Sequence, residues 1–220
     1  MARKSFSYSA LKDFKGCARR YHAVKVLKLY PFTDTEATLY GKRVHTALEE
    51  YVRDGKPLPE GLTQFQAAAD SIIKIPGTKY CEHQMAITAD KTPTTFMAKD
   101  VWIRGIADVL IVDGDKARVL DYKTGSAKYP DKDQLELMAL MTFIHFPEVN
   151  TVKGGLLFLH HNKLVKGEYK RENMEKLWGK WHEGADQLDA AFANDTWHPN
   201  PTPLCGWCPC EHCEHWTRRK

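Results

Sequence analysis

An α/β layered domain, a central mixed sheet flanked by helices, is the fold class this sequence predicts, on three observations. Helical and strand-like apolar spacings alternate along the chain, strand-like runs are joined by tight turns, and no internal repeat or low-complexity tract interrupts them. Strands interleaved with helices bury both faces of a sheet only when the helices cover it. At 220 residues, 43% hydrophobic and 27% charged, the chain has an ordinary globular composition and the length of one domain, or one domain with a small appendage.

Residues 7–29 read as a helix, capped by Ser7 or Ser9, with Leu11, Phe14, Tyr21, Val24 and Leu27 as its apolar stripe. Pro31 and Thr33-Asp34-Thr35 end it. A second helix spans 36–53 on Val44, Leu48, Tyr51 and Val52, with His45 at the stripe's edge and Asp54-Gly55 as the stop. A third covers 62–75, halted by Pro76-Gly77. Residues 79–88 alternate like a strand, with Tyr80, Glu82 and Gln84 on one face, and 95–104 suggest another. A helix over 131–146 stops at Pro147, a hairpin turns around His161-Asn162, and a long helix runs over 172–193. A proline-rich link, Trp197 to Pro203, leads into a cysteine box.

The chemistry lies in the remaining hairpin. Gly114-Asp115 between two β-branched runs is a two-residue turn signal, because glycine supplies the positive φ that such turns need. Counting back from that turn pairs Asp113 with Lys116, Val109 with Leu120 and Asp108 with Asp121. Lys123 then shares the face of Asp121. Asp-x-Lys alone fits any exposed hairpin. Ile106, Val109, Leu110, Ile111, Val112, Val119 and Leu120, however, make both strands read as buried. Charged side chains are rarely buried unless paired, and facing carboxylates repel. A hard cation relieves that repulsion, and Mg²⁺ takes one or two carboxylates plus substrate phosphate. The pattern points to metal-dependent phosphodiester cleavage.

No run of about 18 apolar residues is present, and the N-terminus lacks the apolar stretch of a signal peptide. The expected location is the cytoplasm. A net charge of +4 and a pI of about 8.6 are compatible with nucleic acid without demanding it. Basic residues gather at Arg19-Arg20, Lys25, Lys28, Lys42-Arg43 and Arg218-Arg219-Lys220. Cys205, Cys208, Cys210 and Cys213 crowd together, a pattern that in a cytosolic chain reads as soft-metal ligation. Structural zinc, with His212 or His215 joining, and an iron–sulfur cluster both remain open on spacing alone. Cys17 and Cys81 stand apart.

Taken in order, these motifs resemble the PD-(D/E)xK nucleases of the RecB type, particularly the small iron–sulfur exonucleases of CRISPR adaptation systems and their phage-borne relatives. The resemblance rests on Ser7-Tyr-Ser-Ala-Leu11 with Cys17-Ala-Arg-Arg-Tyr21, Gly41-Lys-Arg-Val-His45 with Leu48-Glu49, Gly105-Ile-Ala-Asp108, Asp121-Tyr-Lys123, Gln134-Leu135, and Pro199-Asn-Pro201 through Cys205-Gly-Trp-Cys208. Ala107 takes the place of the motif's proline, and Met138 stands where a tyrosine often follows the glutamine.

The resemblance implies a restriction-endonuclease-like core over 36–196, an N-terminal helix over 1–35 that brings a cluster cysteine, and a cysteine-rich segment over 197–220. It implies Mg²⁺ or Mn²⁺ held by His45, Asp108, Asp121 and the backbone carbonyl of Tyr122. Glu82 is left open between a further ligand and a solvated carboxylate. Lys123 would orient the nucleophile and act electrostatically, with Gln134 positioning it or the DNA. A [4Fe–4S] cluster would bind Cys17, Cys205, Cys208 and Cys213, with Cys210 as the alternative fourth ligand and Zn²⁺ as the alternative metal. The implied activity is a deoxyribonuclease, an exonuclease at DNA ends or single strands, working with a separate helicase or recombination protein. A non-catalytic, metal-stapled DNA-binding module is the competing reading.

Overall fold

The computed structural model describes residues 3–217. They pack as two compact units. Asp34–Trp178 forms one, and the residues up to Thr33 together with those from Gly179 onward form the other. The basic triplet Arg218-Arg219-Lys220 lies outside the described residues.

The larger unit is the expected α/β layer: a five-stranded mixed sheet with helices on both faces. Its elements are α3 (Glu36–Asp54), α4 (Gln66–Ile73), β1 (Thr78–Ile87), β2 (Ile103–Asp113), β3 (Lys116–Lys123), α5 (Asp133–His145), β4 (Thr151–Phe158) and β5 (Lys163–Lys170). The sheet order is β1-β2-β3-β4-β5, with β3 and β4 parallel and every other pair antiparallel. The parallel pair needs a crossover, which α5 supplies.

Local chemistry sets the boundaries. The Thr35 hydroxyl accepts the Thr38 N–H at 3.2 Å while the Thr35 N–H donates to Thr38 Oγ1 at 2.7 Å, a reciprocal cap that starts α3. Gly55 ends it in the left-handed conformation, φ +70°. One face of the sheet packs Val109, Ile111, Leu120 and Tyr122 in a cluster with Val44, Leu48 and Val52 of α3 and Ala69 and Ile72 of α4. The opposite face receives α5, which is buried at Leu135 and at every residue from Leu137 to Phe143. A helix apolar all round belongs inside a core. At Gly154 of β4 a Cβ would lie 2.9 Å from Leu135 Cβ, so α5 sits as close as it does because that residue has no side chain.

The β2–β3 register is the one counted from the turn, Asp113↔Lys116 through Val109↔Leu120, with Gly114 at φ +58°. Other expectations need correction. Residues 95–102 are irregular, and what was read as a separate strand there is only the approach to a single long β2. Ile106 is 40% exposed rather than buried.

Arg171, just past β5, ties the far end of this unit together. Its guanidinium donates to the carbonyls of Phe143, Phe146 and Val149, each at 2.8 Å. Phe143 lies in the last turn of α5 and Phe146 caps it, where no further turn follows to bond their carbonyls. Arg171→Met should leave those acceptors unpaired and cost about 2 kcal/mol. Thermal unfolding then shifts down by roughly 4–8 °C, and an unchanged midpoint would show the three bonds to be replaceable by water.

The smaller unit holds α1 (Tyr8–Gly16), α2 (Ala18–Tyr21), a π-helical turn (His22–Val26), most of α6 (Met174–Asn194) and the cysteine segment. The single helix expected over 7–29 is broken at Cys17, whose extended backbone (φ −166°, ψ 107°) separates α1 from α2, and Leu27 is 52% exposed. Asn200 Nδ2 donates to the Gly16 carbonyl at 3.0 Å, and the Trp197 ring stacks on His22 at 4.4 Å, so the two chain segments of this unit are joined beside Cys17. Among the described residues no helix is long and apolar enough to cross a membrane.

Candidate active site

The site forms where the sheet stops behaving as a ladder. Beyond Val109↔Leu120 no pair joins β2 to β3, and Asp108 and Asp121 lie next along, outside the paired register. Asp108 Oδ2 instead accepts the backbone N–H of Tyr122 at 2.6 Å. On the other side of β2, Cys81↔Val109 and His83↔Ala107 are paired, but Glu82 and Asp108 between them are not. Glu82 takes φ +47°, a left-handed conformation that a residue with a Cβ adopts only at a cost.

The alternation of faces changes across this gap. Val109 and Ile111 share the α3-side cluster and Cys81 packs against it, whereas Gly105 abuts Met138 and Met141 of α5, and Met85 Sδ lies 4.0 Å from Thr142 of α5. Odd-numbered residues of both strands therefore switch sheet faces at the Glu82–Asp108 position. This is why Glu82 does not continue one strand face with Tyr80 and Gln84, as simple alternation predicts.

The consequence is a convergence of ligands. One ligand atom from each of His45, Glu82 and Asp108 lies within 4.8 Å of the others. His45 Nδ1 is 3.4 Å from Asp108 Oδ1, and its ring meets Tyr122 edge-on at 5.7 Å. Asp121 stands beside this triad in a second arrangement. Lys123 Nζ lies 2.6 Å from Asp121 Oδ2 and donates to Gln134 Oε1 at 2.9 Å, while Gln134 Nε2 donates to Asp121 Oδ1. The Lys123 ammonium is thus the one ion-pair partner of the buried Oδ2 among the described residues.

Electrostatics follow from crowding carboxylates in a dry place. Burial, then the charge of Asp108, raises the Asp121 carboxyl to about 6, against the opposing pull of Lys123 and His45. Burial, then Asp108 and Glu49, also raises Glu82. Burial works against a protonated His45, but the hydrogen bond and charge of Asp108, with Asp121 and Glu82, outweigh it and raise its pKa. Burial and Asp108 raise the Tyr122 phenol as well. A strained glutamate and three carboxylates crowded in a buried place fit a divalent cation with oxygen preference. His45, Glu82 and Asp108 could hold it, with Asp121 Oδ2 beside them.

Glu49 escaped the sequence reasoning as part of this field. It lies one helical turn beyond His45 on α3 and is ion-paired with Arg53. The i, i+4 spacing of His45 and Glu49 was the available signal.

The left-handed backbone at Glu82 gives a direct test. Glu82→Gly should make the metal-free protein about 1 kcal/mol more stable, the relief of φ strain exceeding glycine's added chain entropy. Denaturant unfolding in chelator reads this. A variant less stable than wild type would mean the strain is not borne by this residue.

The cysteines assemble separately, within the smaller unit. Cys17, Cys205, Cys208, Cys210 and Cys213 line one cavity with Arg19, Asn200 and Trp216, and none forms a disulfide. Cys17 Sγ accepts the Asn200 N–H at 3.5 Å, and Cys205 Sγ accepts the Thr202 N–H at 3.4 Å. Cys210 is the most buried of the five, and burial and the neighbouring Cys208 push its thiol up to about 12. Thiols converging on one cavity, two of them already accepting N–H bonds, suit a soft metal or cluster. His212 is not among the cavity's lining residues, while His215 is.

A model of the PD-(D/E)XK nuclease superfamily matches residues 5–91 and 75–214, nearly the whole chain. The chain belongs to that superfamily. As a PD-(D/E)XK nuclease it carries the restriction-endonuclease-like fold, and His45 of α3, Glu82 of β1 and Asp108 of β2 form a group that could hold a metal ion there. No curated protein matches its sequence. Among solved structures, one from Eubacterium rectale named "Putative exonuclease" is 14% identical, with a TM-score of 0.50 over 98% of this chain and 88% of that one. The structure of SSO0001, also 14% identical, aligns with a TM-score of 0.43 over 99% and 89%.

Proposed function

We propose that this PD-(D/E)XK nuclease is a Mg²⁺- or Mn²⁺-dependent deoxyribonuclease of the RecB type that removes nucleotides from DNA ends or single strands. One observation carries the reading: Lys123 is held by Asp121 and Gln134 beside a triad of His45, Glu82 and Asp108. His45, Asp108 and Asp121, with the Tyr122 carbonyl and Glu82, would hold the cation. When bound, the cation lowers the pKa of a coordinated water and offsets charge on the scissile phosphate. Lys123 presents its ammonium to the phosphate oxygens as negative charge builds there. Gln134 and Asp121 fix its direction. Tyr122 keeps Asp108 oriented through its backbone N–H. The name of the Eubacterium rectale neighbour agrees with exonuclease action.

The cysteine cavity belongs to the same reading as the seat of a [4Fe–4S] cluster on Cys17, Cys205, Cys208 and one of Cys213 and Cys210, as in the iron–sulfur exonucleases and their phage-borne relatives. Such an enzyme works in the cytoplasm and receives its strand from a separate helicase or recombination protein.

End-labelled single- and double-stranded DNA incubated with Mg²⁺, Mn²⁺ or chelator tests the activity. Mononucleotides or short end products are expected with metal and none with chelator, and Asp108→Asn should be inactive. Cleavage in chelator overturns metal dependence, and internal cuts alone overturn the exonuclease mode. Visible absorption with stoichiometric iron supports the cluster, whereas a colourless zinc protein overturns it.

A further inference from the structure

Of the six described basic positions singled out in the sequence, four are engaged by carboxylates, and Lys28 and Arg43 are not. Arg19 pairs with Glu214, Arg20 and Lys25 with Asp13, and Lys42 with Asp34. Arg43 is different. Its guanidinium sits 5.9 Å over the Tyr40 ring, and among the described residues no carboxylate pairs with it. Tyr40 in turn stacks on His160 at 5.6 Å, and Phe65, buried, meets His160 edge-on at 5.3 Å. The result is a column of rings rooted in the core and ending in an exposed, uncompensated cation.

The column stands at the carboxyl edge of the parallel strands. Lys123 pairs with Phe158 at the last position of the β3–β4 ladder, so residues 124–132 and 159–162 leave the sheet side by side. This edge is where open α/β sheets place their ligands. Gly41, next to Tyr40, approaches Thr124, next to Lys123, closely enough that a Cβ would lie 3.3 Å from its hydroxyl. Across the same edge Lys163 Nζ donates to the Ala127 carbonyl at 3.4 Å, and Lys128 Nζ lies 5.2 Å over the ring of Tyr129. Tyr129 is 83% exposed, and neither lysine has a carboxylate partner among the described residues. Tyr129 is thus a large ring left in water with the Lys128 ammonium against its face. It matches what a nucleic-acid strand requires, cations tracking the backbone and ring faces for the bases.

We infer that Tyr40, Arg43, Lys128, Tyr129, His160 and Lys163 form a rim that binds the nucleotides flanking the scissile one, Tyr129 by stacking on an unpaired base and Arg43 by contact with a phosphate. This rests on the nuclease reading and extends it from the cutting site to the strand's path. The interior of a duplex offers Tyr129 no free base face, so its contribution is specific to unpaired bases.

Fluorescence anisotropy with a labelled single-stranded oligonucleotide, in Ca²⁺ to hold the substrate uncut, tests it. Tyr129→Ala should raise Kd about tenfold and Tyr129→Phe should restore it, since stacking contributes about 1–3 kcal/mol per base. Arg43→Ala should flatten the dependence of log Kd on log salt by about 0.7, the share of one phosphate on a single strand. Lys116→Ala, removing the same charge from the opposite end of β3, should leave that slope unchanged. If wild type degrades DNA but Tyr129→Ala and Arg43→Ala bind as it does, the rim is overturned and the nuclease reading stands. If wild type neither binds nor degrades DNA, both fall.

Discussion

Lys123→Ala is expected to slow DNA hydrolysis by about 10²–10³-fold at saturating Mn²⁺ with the fold intact. That is the usual scale for losing one preorganised charge aimed at a developing anion. The side chain is well placed for the role. It is only partly buried, 33% exposed, and its ammonium is fixed by an ion pair to Asp121 and a hydrogen bond to Gln134. Two restraints from different elements, β3 and α5, hold it better than either alone.

Removing Lys123 also takes away the cation that opposes the raised pKa of Asp121. A lowered metal affinity is therefore a competing explanation of any loss. A Mn²⁺ titration separates the two. If saturating Mn²⁺ restores the variant to within a few-fold of wild type, Lys123 serves the metal site and not the phosphate. Gln134→Ala, which keeps the ammonium but frees its direction, should cost less, about tenfold.

How much of this was legible in the sequence depends on whether the signal was local. The turn at Gly114-Asp115 fixed the hairpin register residue by residue, because a two-residue turn leaves no slack. Helix α3 showed in its apolar spacing for the same reason. What could not be read was the point where the ladder opens. Alternation puts Glu82 on a face with Tyr80 and Gln84. Its left-handed backbone instead carries a ligand atom of Glu82 to within 4.8 Å of His45 and Asp108. The facing pair Asp108–Asp121 was right in count and wrong in contact, since Asp108 turns aside to take the Tyr122 N–H. Cys17 shows the reverse case. A helical stripe ran through it, yet the chain breaks there, and its thiol joins four others more than 180 residues away along the chain. No window of local sequence contains that partner set.

The metal-free protein should lose stability as pH rises from about 4 to about 6, a trend that Asp121→Asn largely removes. The folded Asp121 carboxyl titrates near 6 against an ordinary 3.8. The folded state therefore holds its proton where the unfolded chain has released it. Stability from this group is fully present below the unfolded value and lost as pH climbs through the folded one, to an extent on the order of 3 kcal/mol. Glu82 and His45 are raised too and act in the same direction. Urea midpoints in chelator at pH 4.5 and 7.5 measure this, wild type against Asp121→Asn, and a gap independent of pH would show that the buried carboxylate carries no such penalty. Mn²⁺ at pH 7.5 should reverse the loss, by about 2.7 kcal/mol at a hundred times its Kd, and should do so far less in Asp108→Asn. A fold that tolerates a strained glutamate and crowded, buried acids on its central strands should be less stable without a cation than the same fold with amides there. That deficit is the mark of a site shaped for a ligand rather than for packing.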